Sequence, residues 1–209
     1  MTENYLYTIA KEKIYPIIRC KEADKTVEIA KALIEGGIKV LEINVETPEI
    51  YEAIKEVSKL ATVCAGGIIT STQADYAFKS GAKLFASPIF QMNLVKISKN
   101  LRIPFIAGAT TASEAYNAWK SRIQIIKLFP AEAMGGTHYI ESLLKQMPFL
   151  NLMATGDVKL CDVVSYLKAG AIAVGVGRDF YNGFTPSEIT NRTKEILLEI
   201  KDYTQWNQK

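Results

Sequence analysis

The chain has 209 residues, of which 48% are apolar and 22% charged, values that exclude a disordered chain or a fibre. Its 25 basic and 22 acidic residues leave a net charge of +3, spread along the chain without the basic stripe of a nucleic-acid-binding protein. The N-terminal segment lacks the apolar run of a secretory signal, and no stretch reaches the ~20 apolar residues of a membrane helix. We therefore expect a soluble, cytoplasmic protein whose partners are small molecules or copies of itself, and neither nucleic acid nor a membrane.

The three cysteines, Cys20, Cys64 and Cys161, are widely spaced and odd in number. They fit neither a disulfide framework nor the closely paired ligands of a zinc site. Each lies in or beside an apolar run, so we expect small buried side chains in a protein of a reducing compartment.

Eight short, nearly continuous apolar runs rich in β-branched residues recur along the chain. Such runs are typical of strands that are buried on both faces, as in a parallel sheet. The predicted strands cover residues 14–20, 38–44, 61–66, 83–87, 103–107, 123–129, 150–154 and 172–176.

Between these runs, apolar residues recur at helical spacing. The segment 23–37 places its apolar residues on one face and ends at a glycine pair, as at a helix C-terminus. The segment 185–201 opens with Thr or Ser followed by Glu, the pattern of a capping box. Further helices are predicted at residues 47–60, 71–81, 111–121 and 161–170.

Eight strands with helical segments between them predict a (β/α)8 barrel, and 209 residues lie at the short end of that fold's range of about 200 to over 400. An open, doubly wound sheet is the alternative. It usually carries a glycine-rich turn after its first strand, whereas residues 14–24 contain no glycine. We therefore predict an α/β protein with one domain over residues 1–209, a single (β/α)8 TIM barrel, with a loosely held C-terminal tail from about residue 202.

Three charged residues, Lys127, Glu42 and Arg19, fall in the apolar strands, near the carboxyl ends where barrel enzymes place their chemistry. Side chains alternate along a strand, so each of the three shares a face with apolar residues of its own strand. If those faces point into the barrel, the three charges converge at its mouth.

Lys127 is the strongest candidate for a catalytic group. Burial disfavours the charged ammonium form, and a neutral lysine attacks carbonyl carbons to form Schiff bases. Glu42 would be the general acid or base, and Arg19 would bind a carboxylate. The structural alternatives are a Lys127–Glu42 ion pair, a lysine facing outward under a helix, and a salt bridge from Arg19 to Glu42. His138, the only histidine, follows a glycine pair and a threonine at a helix start and is expected at the surface.

Taken in order over residues 16–181, these motifs resemble the 2-keto-3-deoxy-6-phosphogluconate/4-hydroxy-2-oxoglutarate aldolases, which are class I aldolases on a (β/α)8 barrel. PIIRC resembles the first strand of that family, VLEIN carries its catalytic glutamate at Glu42, and IKLFPAE carries its lysine at Lys127. CAGGI stands where the family has a Gly-Ala-Gly-Thr turn, and the other matching segments are ASP, IAGATTASE, MATGD and AVGVGRDFY.

The resemblance implies reversible cleavage of a 2-keto-3-deoxy (phospho) sugar acid, or of 4-hydroxy-2-oxoglutarate, to pyruvate and an aldehyde (glyceraldehyde 3-phosphate or glyoxylate). Lys127 would form the Schiff base and Glu42 would move the protons, with no metal and no organic cofactor required. The resemblance also implies a homotrimer. The residues implied to contact the keto-acid substrate are Arg19, Gly67, Gly108, Thr111, Gly156, Asp157, Gly177 and Arg178.

Several positions around the implied substrate depart from the family pattern. Glu46 replaces an arginine and Gly67 a threonine, while Asp157 and Arg178 replace a glycine and a serine of the phosphate site. An aspartate repels a phosphate and an arginine attracts it. We predict that Asp157 and Arg178 form an ion pair; the alternative is that Arg178 points to solvent. We also predict that a non-phosphorylated keto acid is relatively favoured as substrate.

Two alternative functions stay open. One is a barrel that binds an acidic sugar or phosphate with little or no turnover, and the other is a phosphate-binding isomerase or synthase that needs no lysine imine.

Overall fold

The structure, a computed structural model, describes residues 5–206 and contains a closed barrel of eight parallel strands paired in chain order. The last strand pairs with the first, so the sheet has no free edge. The predicted (β/α)8 barrel is therefore confirmed. The strands are β1 (Ile14–Ile18), β2 (Val40–Asn44), β3 (Thr62–Gly66), β4 (Leu84–Ala86), β5 (Phe105–Ala109), β6 (Ile126–Leu128), β7 (Leu152–Thr155) and β8 (Ala173–Val176).

Alternate side chains of the strands divide between two apolar layers. One set, which includes Ile17, Val40 and Met153, fills the inside of the barrel. The other set, which includes Ile18 and Leu41, packs outward against the helices. Because both layers are buried, the strands show the nearly continuous apolar runs seen in the sequence.

The helices around the barrel begin and end close to the predicted positions. The predicted capping box at Thr185 is formed, since its hydroxyl accepts a hydrogen bond from the backbone of Glu188 and the Glu188 carboxylate accepts one in return. The helices that follow the strands are α2 (Ala23–Glu35), α3 (Ile50–Val57), α4 (Ser71–Lys79), α5 (Met92–Leu101), α6 (Ala112–Lys120), α7 (Gly136–Gln146), α8 (Val163–Lys168) and α9 (Pro186–Trp206).

Helix α1 (Tyr5–Glu12), which precedes the first strand, was not predicted from the sequence. Its Leu6 and Ile9 are buried and pack on the apolar interior of the barrel. The helix contacts β1, β2 and β8 and so covers the amino end of the barrel. The carboxyl end, where Lys127 and Glu42 lie, is left open.

The segment predicted to be a loosely held tail from about 202 begins inside α9, which continues to Trp206. Ile196 and Ile200 of this helix are buried, and Tyr203 packs against the same core one turn later. Residues 207–209 of the predicted tail lie outside the described residues. Among the helices of residues 5–206, none is long and apolar enough to cross a membrane.

The three cysteines differ in exposure more than the sequence suggested. Cys64 is buried inside the barrel and Cys20 is half-buried, but Cys161 is exposed. The expectation of a buried side chain was wrong for Cys161 because it lies in a short 3-10 turn, Leu160–Asp162, between β7 and α8. All three are free thiols.

Candidate active site

The two charges expected to converge form a buried ion pair. Lys127 is the middle residue of β6 and Glu42 the middle residue of β2, strands on opposite sides of the closed barrel. The Lys127 Nζ donates a hydrogen bond to Glu42 Oε1 over 2.8 Å. The lysine side chain is 8% exposed and the glutamate side chain 0%. Lys127 therefore does not face outward under a helix, and that structural alternative is wrong. The ion pair between Lys127 and Glu42, the other structural alternative, is formed.

Space for this carboxylate depends on Gly66, the last residue of β3. A methyl group on Gly66 would overlap the side chains of Glu42 and Asn44. The first glycine of the CAGGI motif, Gly66, is therefore required because it packs closely against the two polar residues of β2, Glu42 and Asn44.

Asn44 links the buried pair to the surface, and sequence reasoning missed it. In the amide orientation that satisfies both neighbours, its Nδ2 donates to Glu42 Oε1 over 2.9 Å and its Oδ1 accepts from Arg19 Nε over 3.2 Å. Arg19 lies just beyond β1 with a side chain 54% exposed, and its Nε is also 3.0 Å from Glu46 Oε1. The considered salt bridge from Arg19 to Glu42 is not formed, because Asn44 stands between them and the exposed Glu46 takes the guanidinium.

A cavity of about 270 Å³ opens above Lys127 at the carboxyl end of the barrel. Among the residues predicted to contact a substrate, those lining it are Arg19, Gly67, Gly156, Asp157, Gly177 and Arg178. The structure therefore places most of the predicted site around one opening.

Gly108 and Thr111 do not line this cavity in the described part of the chain, and each has a structural role. A methyl group on Gly108 would overlap the carbonyl group of Pro88, so glycine lets the loop after β4 approach β5. The Thr111 hydroxyl accepts a hydrogen bond from the backbone of Glu114, and the two residues form the capping box of α6.

The predicted ion pair between Asp157 and Arg178 is wrong. Both side chains are exposed at the cavity rim, and neither makes a salt bridge within the described residues. Arg178 begins the short turn Arg178–Phe180, whose Asp179 accepts a hydrogen bond from the Leu160 backbone and so ties together the loops after β7 and β8. The side-chain contact between these two loops is therefore made by Asp179 and not by Arg178.

The backbone explains how an aspartate replaces a glycine at position 157. Asp157 has φ +55°, and Gly156 before it has φ +101°. Aspartate and asparagine adopt this left-handed conformation more readily than other non-glycine residues. The loop therefore keeps its shape while a carboxylate is added to the rim of the cavity.

Thr155 is a second polar residue that sequence reasoning did not single out. It ends β7 and lines the cavity, and it is 1% exposed. Its buried hydroxyl has no hydrogen-bond partner among the described residues. A buried hydroxyl left unpaired costs free energy of about 1–3 kcal/mol, which a bound polar ligand can recover. Its motif, MATGD, was noted in the sequence, but nothing there shows that this hydroxyl lacks a protein partner.

His138 lies at the surface as predicted, since its side chain is 93% exposed. Its Nδ1 lies 3.6 Å from the Oε2 of Glu141. Within residues 5–206, no group of three or more His, Cys, Asp and Glu side chains is arranged to hold a metal ion.

Comparison with known proteins places this barrel among the aldolases. The profile of the KDPG and KHG aldolase family matches residues 7–193. The KHG/KDPG aldolase of Escherichia coli strain K12 is 30% identical over 157 residues, which cover 74% of each chain.

Two crystal structures share the fold closely. The KDPG aldolase of Legionella pneumophila, with pyruvate captured at low pH as a covalent carbinolamine intermediate, is 26% identical with a TM-score of 0.82, covering 90% of this chain and 95% of the other. The 2-keto-3-deoxy-6-phosphogluconate aldolase of Zymomonas mobilis ZM4 with 3-phosphoglycerate has a TM-score of 0.85 at 24% identity, covering 94% of this chain and 96% of the other.

The protein is thus an aldolase, a lyase of carbon–carbon bonds built on a parallel barrel. The chain belongs to the KDPG and KHG aldolase family.

Proposed function

We propose that this protein is a class I aldolase that reversibly cleaves a 2-keto-3-deoxy acid or 4-hydroxy-2-oxoglutarate to pyruvate and an aldehyde, through a Schiff base on Lys127. The observation that carries the proposal is the 2.8 Å contact between Lys127 Nζ and Glu42 Oε1 on the floor of the cavity. A buried amine beside a proton acceptor is the arrangement that imine chemistry requires.

The reaction begins with proton transfer from the Lys127 ammonium to Glu42. The neutral amine attacks the C2 carbonyl carbon of the keto acid, and a proton passes from the attacking nitrogen to the former carbonyl oxygen to give a carbinolamine. Water leaves when Glu42 returns its proton to the carbinolamine hydroxyl group. The product is a protonated imine, which withdraws electrons from the neighbouring carbons.

Cleavage follows when the Glu42 carboxylate, ionised again after the loss of water, removes the proton of the C4 hydroxyl. The C3–C4 bond breaks, its electron pair moves into the imine, and the aldehyde leaves. Glu42 then protonates the C3 carbon of the enamine that remains. Water hydrolyses the pyruvate imine and regenerates the amine of Lys127.

The polar residues of the cavity suggest how the substrate is held. The unpaired hydroxyl of Thr155 and the guanidinium of Arg19 would bind the carboxylate of the keto acid. At the far side, Arg178 would attract an anionic group while Asp157 would repel it. The exposed carboxylate of Asp157 supports a preference for a substrate without phosphate.

Two properties of the relatives support this proposal. The Legionella pneumophila structure holds pyruvate as a covalent carbinolamine, an intermediate on the way to an imine. The Escherichia coli relative carries both KHG and KDPG in its name, so one site of this family accommodates a substrate with phosphate and one without.

A second candidate is a barrel that binds an acidic sugar or phosphate with little or no turnover. The pairing of Arg19 with Glu46 favours it, because it occupies a cation available to a carboxylate. The two candidates differ in whether Lys127 forms an imine.

Reductive trapping distinguishes the candidates. After incubation with pyruvate and a borohydride reductant, peptide mass spectrometry should find a reduced pyruvyl group on Lys127. Lys127→Arg keeps the charge but cannot form the imine, and should abolish both labelling and cleavage. The exposed Lys120→Arg on α6 is the control and should behave as wild type. An unlabelled Lys127, under conditions that label a reference aldolase, would contradict the proposal.

We also propose that the protein acts as a single-domain subunit of a homotrimer in the cytoplasm. Three neighbouring aromatic residues, Tyr116, Trp119 and Phe149, are each more than 40% exposed. The ring centroids of Tyr116 and Trp119 lie 5.8 Å apart and those of Trp119 and Phe149 4.4 Å apart, with the rings tilted. An exposed aromatic cluster is typical of a protein contact surface. Free cysteines fit a reducing compartment. Light scattering of the purified protein should give three times the chain mass of 23.2 kDa, and a monomer mass would contradict the trimer.

A further inference from the structure

A tyrosine beneath the lysine–glutamate pair has no role in the reaction described above. Tyr15 lies in β1 with its side chain inside the barrel and 0% exposed. Its hydroxyl is buried next to Glu42 and Cys64, but it makes no hydrogen bond of good geometry with any of the described residues. Leaving such a group unpaired is costly, so a buried tyrosine hydroxyl normally has a partner.

Glu42 has an unpaired oxygen in the same region. Its Oε1 accepts from Lys127 and, in the satisfied orientation, from Asn44, whereas its Oε2 is buried without a partner. One buried donor and one buried acceptor are therefore both unsatisfied inside the barrel.

The two groups face each other across neighbouring strands. Ile17 of β1 is level with Glu42 of β2, so Tyr15 starts two residues, about 6.6 Å, closer to the amino end of the barrel. A tyrosine side chain spans that distance. The Tyr15 hydroxyl faces Glu42 and Cys64, and burial, together with both of these neighbours, raises the pKa of the phenol well above its ordinary value.

We propose that Tyr15 is a positioning residue for Glu42, whose Oε2 accepts a hydrogen bond from the tyrosine hydroxyl during the reaction. The inference rests on the proposed function, because it assigns the hydroxyl to the proton-transferring carboxylate. Lys127 loses two of its three N–H donors when it forms the protonated imine, so its hold on Glu42 weakens during the cycle. Tyr15 is a donor that remains in place at every step.

The groups around Glu42 support this division of roles. Among the described residues, four side chains face Glu42: those of Lys127 in β6, Asn44 in β2, Tyr15 in β1 and Cys64 in β3. Burial and the nearby Glu42 raise the pKa of the Cys64 thiol well above its usual range. The phenol and the thiol therefore keep their protons.

The hydrogen bond favours the ionised carboxylate over the protonated acid. Without it, Glu42 should take up a proton more readily, and the ionised form that removes protons from the substrate imine should be lost at higher pH. The loss of a hydrogen bond to a charged group should move the pH at which the ionised form is lost by about one to two units.

The test is the pH dependence of kcat in Tyr15→Phe, which removes the hydroxyl and keeps the ring. The acid limb for cleavage of 4-hydroxy-2-oxoglutarate should move upward by about one to two pH units while KM changes less than about twofold. The control is Tyr166→Phe, another buried tyrosine, whose hydroxyl donates to Glu132 over 2.6 Å outside the cavity. It should leave the limb unchanged, as removal of a merely structural hydroxyl does.

A second measurement works without turnover. The carboxyl carbon of Glu42, assigned in ¹³C-glutamate-labelled protein by comparison with Glu42→Gln, should change its chemical shift in Tyr15→Phe and keep it in Tyr166→Phe. An unchanged chemical shift in Tyr15→Phe, or an unchanged acid limb, would overturn the inference. Failure of wild-type Lys127 to be trapped with pyruvate would instead overturn the proposed function, with the Glu42 chemical shift still deciding the contact.

Discussion

The guanidinium of Arg19 is held by Glu46, with Nε and Oε1 3.0 Å apart, at the rim of the cavity that contains Lys127. The family pattern has an arginine where this chain has Glu46, so a cation is replaced by an anion that pairs with another cation. The partial exposure of both side chains makes the pair easy to break, since exposed pairs contribute only about 0–1 kcal/mol.

Glu46→Gln should therefore improve substrate binding. Removing the carboxylate frees Arg19 for the keto acid, and KM should fall about two- to fivefold with kcat little changed. The free energy of unfolding should change by less than about 1 kcal/mol. Steady-state kinetics and thermal unfolding measure these effects. Glu56→Gln, which breaks a comparable exposed pair with Lys31, is the control and should leave KM unchanged. A higher KM in Glu46→Gln would show that Glu46 itself assists binding.

Glu42→Gln should separate imine formation from proton transfer. The amide fills the same space but does not titrate, and general acid–base catalysis contributes about 10²–10⁴-fold, so kcat should fall by that factor. Trapping of pyruvate on Lys127 should persist in part. The variant should also be less stable by about 3–5 kcal/mol, since the buried ammonium loses its counter-charge. Near-normal turnover would reduce Glu42 to a structural partner of Lys127.

The burial and alternation of the strands made the barrel and its central pair predictable. A strand such as β6 is apolar on both sides, so a lysine in its middle stands out in the sequence, and the matching glutamate in β2 stands out for the same reason. Helix α1 was missed because it is only eight residues long, and so short a helix depends on packing against the barrel for its stability.

Contacts between side chains of different loops were much less predictable. Arg19 pairs with Glu46 rather than with Glu42, and Asp157 does not pair with Arg178. Such contacts depend on loop geometry, which strand periodicity does not determine. Tyr15 is a similar case, because an apolar strand hides a tyrosine whose hydroxyl matters only through its neighbours.

Thr111 was expected to contact the substrate, but its capping box with Glu114 predicts a different result on mutation. Thr111→Ala should lower the free energy of unfolding by about 0.5–2 kcal/mol and leave kcat/KM unchanged. Thr70→Ala, which removes the equivalent capping hydroxyl of α4, is a matched control and should behave in the same way. Chemical denaturation and steady-state kinetics provide both values. A loss of kcat/KM in Thr111→Ala alone would restore the substrate contact.

Asp157 should determine how the protein treats a phosphorylated substrate. Its carboxylate stands at the cavity rim in a left-handed loop, not neutralised by Arg178, so it should repel a doubly charged phosphate. The wild type should therefore favour 4-hydroxy-2-oxoglutarate over 2-keto-3-deoxy-6-phosphogluconate in kcat/KM.

Asp157→Gly keeps the backbone conformation that position 157 requires, because glycine adopts positive φ freely. It should raise kcat/KM for the phosphorylated substrate about tenfold and change the other value little. Asp157→Asn, which retains the size and the left-handed tendency but removes the charge, should produce most of the same gain. If the wild type already prefers the phosphorylated substrate by orders of magnitude and neither variant changes the ratio, the carboxylate does not select against phosphate.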